Sequence, residues 1–182
     1  MSDQHSTQPA PATLSEAALD LLGARRQCST CGVEAPAALD DALVWIAEPD
    51  AHWLQHRPAA TEIFTGTREV LPEVRVAVLG GHFPGNCVVH WDGRDGAGVL
   101  LNGDTIAPHP DRRTVAFMRS FPDRIPLSGA VALRVAEAAA AHPFARVSGN
   151  FENLVPRDAR QTVRDSARRH AAWTDGEHDD LT

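Results

Sequence analysis

Two short runs hold the residues best suited to chemistry. One is Gly81-His82-Phe83-Pro84-Gly85-Asn86 and the other is Asn102-Gly103-Asp104-Thr105. Between them lie two apolar segments, Cys87 to Trp91 and Val99 to Leu101, joined by a Gly- and Asp-rich turn that reads as a β-hairpin. A hairpin that runs out and back returns both of its open ends to one edge of the sheet. His82, just before the outgoing strand, and Asp104, just after the returning one, are therefore expected to be neighbours. A neutral imidazole beside a carboxylate makes two ligands for zinc or a similar ion. A catalytic zinc takes three protein ligands and a water, so the pair alone is short of a site. The alternative is a turn histidine and a turn aspartate, each satisfied locally.

Cys28-Ser-Thr-Cys31-Gly has the spacing of a knuckle that gives two thiolates to a structural zinc, but no second cysteine pair follows. His5, His52 and His56 are the histidines available to complete it; the alternative is two free thiols. Cys87 lies in an apolar strand and reads as a small core residue. Arg157, Arg160, Arg164 and Arg168 repeat at three- and four-residue spacing, which suits either phosphate contact or a solvated helix face. Asp158, Asp165 and the acidic end favour the solvated face. Asp111, Arg112 and Arg113 read as a turn closed by a salt bridge, with a substrate-facing role as the alternative, and His90, Trp91, Trp45 and Trp53 as packing residues. Ser120 and Ser128 lack the G-x-S-x-G context of a nucleophile elbow, and no phosphate-cradling G-x-x-x-x-G-K-[ST] occurs.

The elements that must position these residues follow from periodicity. Thr13 to Arg26 predicts a helix, with Thr13 and Glu16 at capping-box spacing. Ala42 to Ala47 predicts a strand buried on both faces, with a short helix from Pro49 to His56 after it. Glu62 to Phe64, Arg68 to Leu71, and the alternating Val74, Val76, Val78 predict three more strands. Thr114 to Met118 and Ala145 to Ser148 add two. Ser128 is placed to cap a helix carrying Val131, Val135, Ala138 and Ala139, and Pro156 to Trp173 forms a C-terminal helix. The expected organisation is a disordered tail (1–12), a short helix with the Cys knuckle (13–41), an α/β domain (42–173) and an acidic disordered tail (174–182).

Composition bounds the function classes. The 182 residues are 43% hydrophobic and 23% charged, which is globular, and they allow one domain with tails. Seventeen basic residues, all Arg, against 24 acidic ones leave a net charge of -7. General nucleic-acid binding needs a concentrated basic face and is not expected. No run reaches the roughly 18 apolar residues of a membrane span, and MSDQHSTQPAPA has neither the basic start nor the apolar stretch of a secretory leader. A cytoplasmic protein without a membrane partner is the expectation.

GHFPGN, the VVHW hairpin, LLNGDTI, PDRRTVAFMRSFPDRIPL and the helix after it, in that order, resemble the C-terminal half of a metallo-β-lactamase-superfamily hydrolase, over residues 42–173. The resemblance implies part of an αββα sandwich: a β-rich half-domain with flanking helices and metal at one sheet edge. It implies one or two zinc ions, with His82 as a ligand of the first and Asp104 bridging both. The activity it implies is attack of a zinc-bound hydroxide on an ester, amide, thioester or phosphoester of an unknown small molecule. Three features depart from the pattern. The HxHxDH run that supplies most ligands is absent, Gly149-Asn150 stands where a final His ligand is expected, and the N-terminal strands and helix have no counterpart. Some relatives carry a Cys-rich, zinc-ribbon-like segment ahead of the hydrolase domain, of which Cys28 and Cys31 resemble a remnant. The expected function is thus a shortened metal-dependent hydrolase with an incomplete metal site. The alternative is a non-catalytic binding or assembly module, or a truncated pseudo-enzyme. A sheet with apolar residues for two faces but helices for one also predicts self-association or a partner subunit.

Overall fold

The computed structural model describes residues 43–54, 60–151 and 153–182. The expected helix at Thr13 to Arg26, the N-terminal tail, Cys28 and Cys31, His5 and His56 lie outside the described residues.

In chain order the elements are β1 (Val44–Ala47), a 3-10 helix (Glu48–Trp53), β2 (Thr61–Phe64), β3 (Thr67–Leu71), β4 (Val74–Val78), β5 (Cys87–Trp91) and β6 (Val99–Asn102). Four short strands follow: β7 (Ala107–Pro108), β8 (Val115–Ala116), β9 (Met118–Ser120) and β10 (Ile125–Pro126). Then come α1 (Gly129–Ala139), β11 (Arg146–Ser148), β12 (Leu154–Val155), α2 (Ala159–Thr174) and a final 3-10 turn (Asp179–Leu181). The architecture is mixed α/β.

One six-stranded sheet organises the rest, in the order β12-β11-β6-β5-β4-β3. Strands β3 to β6 form an antiparallel meander, with Val76 opposite Val89 and Val89 opposite Leu101. β11 then joins β6 in parallel, Val147 opposite Leu100, after a crossover that contains α1. Period-2 alternation sends β5 residues to opposite faces. Val88 enters a core shared with Leu100, Val147, Phe117 and the inward stripes of both helices, including Val135, Ala139, Val163 and Ala167. Cys87 points the other way, into a smaller cluster with Ala47 and Phe64, against which Trp45, Val76 and Val78 pack. The helices therefore cover one face. On the other, β1 pairs with β2 in parallel as a separate ribbon and covers the Val76–Cys87 region, so that face is not bare as the sequence suggested.

The helix expected from Pro49 is a 3-10 helix with Pro in its first turn. The strand expected at Thr114 to Met118 divides at Phe117, which is fully buried. Val115 and Ala116 pair with β7, and Met118 to Ser120 pair with β10. Ser128 is the N-cap residue of α1, but its hydroxyl makes no capping bond. Residues after Thr174 are not a loose tail. Glu177 N–H donates to the Ala172 carbonyl, and the Trp173 and His178 rings meet edge to face at 4.8 Å.

Three of the four arginines at this spacing are engaged within the protein. Arg160 donates from Nε to the Ala140 carbonyl at the end of α1, 2.8 Å away. Arg164 forms a two-pronged pair with Glu137 across the helix interface, and Arg168 pairs with Asp165 on its own helix. Exposed pairs of this kind contribute at most about 1 kcal/mol each.

Candidate functional site

The GHFPGN run folds as the β4–β5 connection, and its glycines explain its shape. Both Leu79 and Gly80 N–H groups donate to the Asn86 carbonyl, which closes the loop across its base. Gly81 has φ +94°, and a Cβ there would lie 3.1 Å from Val135 of α1, so the loop can press onto the helix only with glycine. Asp50 of the 3-10 helix accepts the Gly85 N–H at 2.9 Å, and a Cβ on Gly85 would collide with that carboxylate at 2.5 Å. These contacts hold His82 at the sheet edge with only 7% of its surface exposed. Its ring lies between Phe83, edge-on at 4.7 Å, and Phe121, tilted at 5.7 Å.

The His82 Nδ1–H donates to the Met118 carbonyl at 2.9 Å. A carbonyl can only accept, so in the neutral ring the proton sits on Nδ1 and the Nε2 lone pair faces outward. Metal-binding histidines are oriented in this manner by a carbonyl on their second nitrogen.

Asp104 is placed by a different device. The side chain of Asn102 grips the loop after β6: its carbonyl oxygen accepts the Ile106 N–H at 2.9 Å and its amide donates to the Ile106 carbonyl. Gly103 to Thr105 are pinched into a tight bend, and Asp104 is left about one quarter exposed at its crest. The bend brings Asp104 Oδ2 to 3.8 Å from His82 Nε2. The expected convergence of these two residues is thus present.

That distance is too long for a hydrogen bond, which wants about 2.7–3.2 Å. Two donors bound to one tetrahedral zinc at roughly 2.0–2.1 Å lie about 3.3 Å apart, so a small side-chain adjustment would let both reach one ion. The third position is where the donor set fails. Asn150 sits in the bend after β11 and its amide nitrogen lies 3.5 Å from Asp104 Oδ1, donating to it. A carboxamide is a weak zinc donor, and here its N–H side faces the carboxylate. Among the described residues, no three His, Cys, Asp or Glu side chains come together as a metal-binding group. The described residues therefore bring two donors of the right chemistry within reach of one ion and do not complete a coordination shell.

Beside the pair lies a cavity of about 200 Å³, lined by Asp104, His109, Phe121, Asn150, Phe151 and Asn153 among others. Phe151 stands 82% exposed at its rim. Asn153 ties the floor together: its amide donates to the Pro108 carbonyl at 2.6 Å, and its oxygen accepts the Phe151 N–H. The result is an apolar pocket with one carboxylate, the combination that orients a small organic molecule. Reading the sequence alone placed Asn102 in the Asp104 run without giving it a role, and missed Phe121, Phe151 and Asn153. Asn102 could have been noticed as the one polar residue ending an apolar strand beside Asp104.

The other sequence candidates stand apart from this edge. Asp111 does not form a salt bridge with Arg112 or Arg113. It accepts the Arg113 and Thr114 N–H groups and the Thr114 hydroxyl, and these bonds hold its carboxyl below the ordinary range. Ser120 bonds Asp123 in a local turn, and His52 packs on Trp53 at 4.8 Å. Burial pushes the Cys87 thiol up to about 12, which fits a core residue. His90 is 2% exposed, packs against His142 and Phe144, and has no hydrogen-bond partner on either ring nitrogen. None of the described helices is long and apolar enough to cross a membrane.

No family profile matches the chain. The chain is 34% identical over 131 residues to the uncharacterized protein YmaE of Bacillus subtilis (strain 168). The match spans 71% of this chain and 48% of YmaE, so the chain covers about half the length of the curated relative it resembles.

Proposed function

We propose that residues 42–173 are the C-terminal half of a metallo-β-lactamase-type hydrolase, part of an αββα sandwich, whose sheet edge retains two zinc ligands, His82 and Asp104. The observation that carries this reading is the convergence of those side chains at 3.8 Å, with His82 Nδ1 bonded to the Met118 carbonyl and Nε2 turned to the carboxylate. A match to about half of a longer protein agrees with a half-domain. Zinc, if bound, would make a nucleophile of its water. Ligands for a complete site would have to come from outside the described residues, from elsewhere in this chain or from a second polypeptide. Alone, the described half has no hydrolytic step to offer.

Zinc titration of the full chain tests the reading, read by competition with a chromophoric chelator. The expected result is weak binding that mild chelator dialysis removes, with no zinc-dependent hydrolysis of generic esters, thioesters, phosphodiesters or β-lactams. Asn150→His should tighten binding about 100-fold: four ligands of a structural zinc give roughly 10–16 kcal/mol, and one imperfectly placed ligand a fraction of that. His82→Ala or Asp104→Ala in the Asn150→His background should abolish the gain. A folded Asn150→His protein that binds zinc no better than wild type would overturn the proposal and favour a non-catalytic binding or assembly module. That second reading draws on the absence of a third donor among the described residues.

A further inference from the structure

A second hollow, of about 380 Å³, shares no lining residue with the first, and its lining includes His82, Arg119, Leu127, Ser128 and Arg134. Two guanidiniums flank it. Arg119 donates from one nitrogen to the His82 carbonyl at 2.7 Å, with its guanidinium carbon 5.8 Å from the Phe83 ring centre. Arg134, on α1, donates to the Leu79 carbonyl at 2.8 Å. Both are thus tied to the loop that carries His82, Arg134 at its start and Arg119 at His82 itself. Neither meets a carboxylate among the described residues, and the hollow has no acidic side chain in its lining. Arg75, Arg146, Arg164 and Arg168 are paired with an Asp or Glu; Arg119 and Arg134 are instead exposed and line one hollow together. What the two share is that hollow, in which no carboxylate competes for them. Asp175 lies against Gly129 at the start of α1 and lines no part of the hollow.

A guanidinium presents five N–H donors in a planar fork, and each of these two spends one on a loop carbonyl. The remainder suit an oxyanion, and charge-assisted bonds of that type are about twice as strong as neutral ones. We propose that Arg119 and Arg134 bind an anionic group, a phosphate or carboxylate, carried by the molecule that spans the His82–Asp104 pair. The substrate class is then a small molecule with an oxyanion at one end and an apolar portion that reaches the Phe121–Phe151 cavity. Calling this molecule a substrate rests on the hydrolase reading, whereas the anion site does not require it.

The test uses the full chain, freed of metal by chelator. It is titrated with inorganic phosphate and, separately, with acetate, at an ionic strength held constant with chloride. Arginine side-chain NMR resonances should shift saturably for Arg119 and Arg134 and not for the exposed Arg124, with phosphate or acetate identified by the stronger response. Arg119→Gln with Arg134→Gln should weaken that binding about tenfold or more, since two charge-assisted contacts are lost. Asp104→Asn, at a residue that does not line the hollow, should leave it in place, which separates this site from the metal edge. No saturable shift with either anion in the wild-type protein would overturn the proposal. So would undiminished affinity in a folded double variant. Should the double variant not fold, the wild-type resonances decide. Failure here with successful zinc binding in Asn150→His removes the anion site alone, and the reverse removes the metal reading alone.

Discussion

Acidification should destabilise this protein through His90, in a pH window that carboxylates do not share. The ring is 2% exposed in β5, opposite Arg75 on β4 and Leu100 on β6, with His142 and Phe144 against it. Burial, then the nearby His142 and Arg75, lower its pKa to about 4, while Asp92 opposes them weakly. In the unfolded chain the ring takes a proton near pH 6.5, which the folded protein refuses until about pH 4. The unfolded state therefore binds more protons across this interval, and stability falls as pH falls through it. A shift of that size, at about 1.4 kcal/mol per unit, gives a loss of roughly 3 kcal/mol between pH 6.5 and pH 4. The carboxyls held low by hydrogen bonds, Asp95, Asp111 and Glu137, lose their contributions only as pH falls below the ordinary carboxylate range. Urea unfolding at several pH values from about 7 down to about 4.5 measures the effect, with His90→Leu as the non-titrating reference. The wild type should lose about 2–3 kcal/mol more than His90→Leu over that range. Parallel pH profiles for the two proteins, or an NMR titration of His90 near 6.5, would refute the argument.

Two further outcomes follow from packing. Gly98 has φ +76°, and a Cβ there would lie 2.6 Å from the Pro143 carbonyl oxygen and 3.0 Å from the Phe144 Cα. Gly98→Ala should cost at least about 2 kcal/mol in thermal unfolding, from backbone strain plus a clash with backbone that cannot swing aside. Cys87 should resist alkylation at neutral pH in the folded protein and react once urea unfolds it; peptide mapping after iodoacetamide distinguishes the states, and rapid labelling of the native protein would contradict its burial.

Strands β2 to β6 and both helices were legible in the linear chain because their signals are local. Val74, Val76 and Val78 alternate, and Val131, Val135 and Ala139 repeat at helical spacing, so each segment announces its buried face before any partner is known. The meeting of His82 and Asp104 was legible for the same reason, since a hairpin returns its ends to one edge whatever surrounds it. Thr114 to Met118 predicts one strand where β8 and β9 stand, and β7 and β10 carry no local signal, because the burial of Phe117 and the separate pairing of its two sides depend on partners outside the segment.

The linear chain determined which residue types were present at the edge: one imidazole, one carboxylate, and the carboxamide of Asn150. Only the tertiary structure decided their chemistry. The direction of the His82 lone pair is set by the Met118 carbonyl, 36 residues away. The placement of Arg119 and Arg134 was invisible for a like reason, because each bonds a carbonyl of the loop after β4, from a different part of the chain. Periodicity reports which face of an element is buried. The partner that orients a polar side chain, and whether a charge finds a counter-charge, is fixed by which distant segments pack beside it.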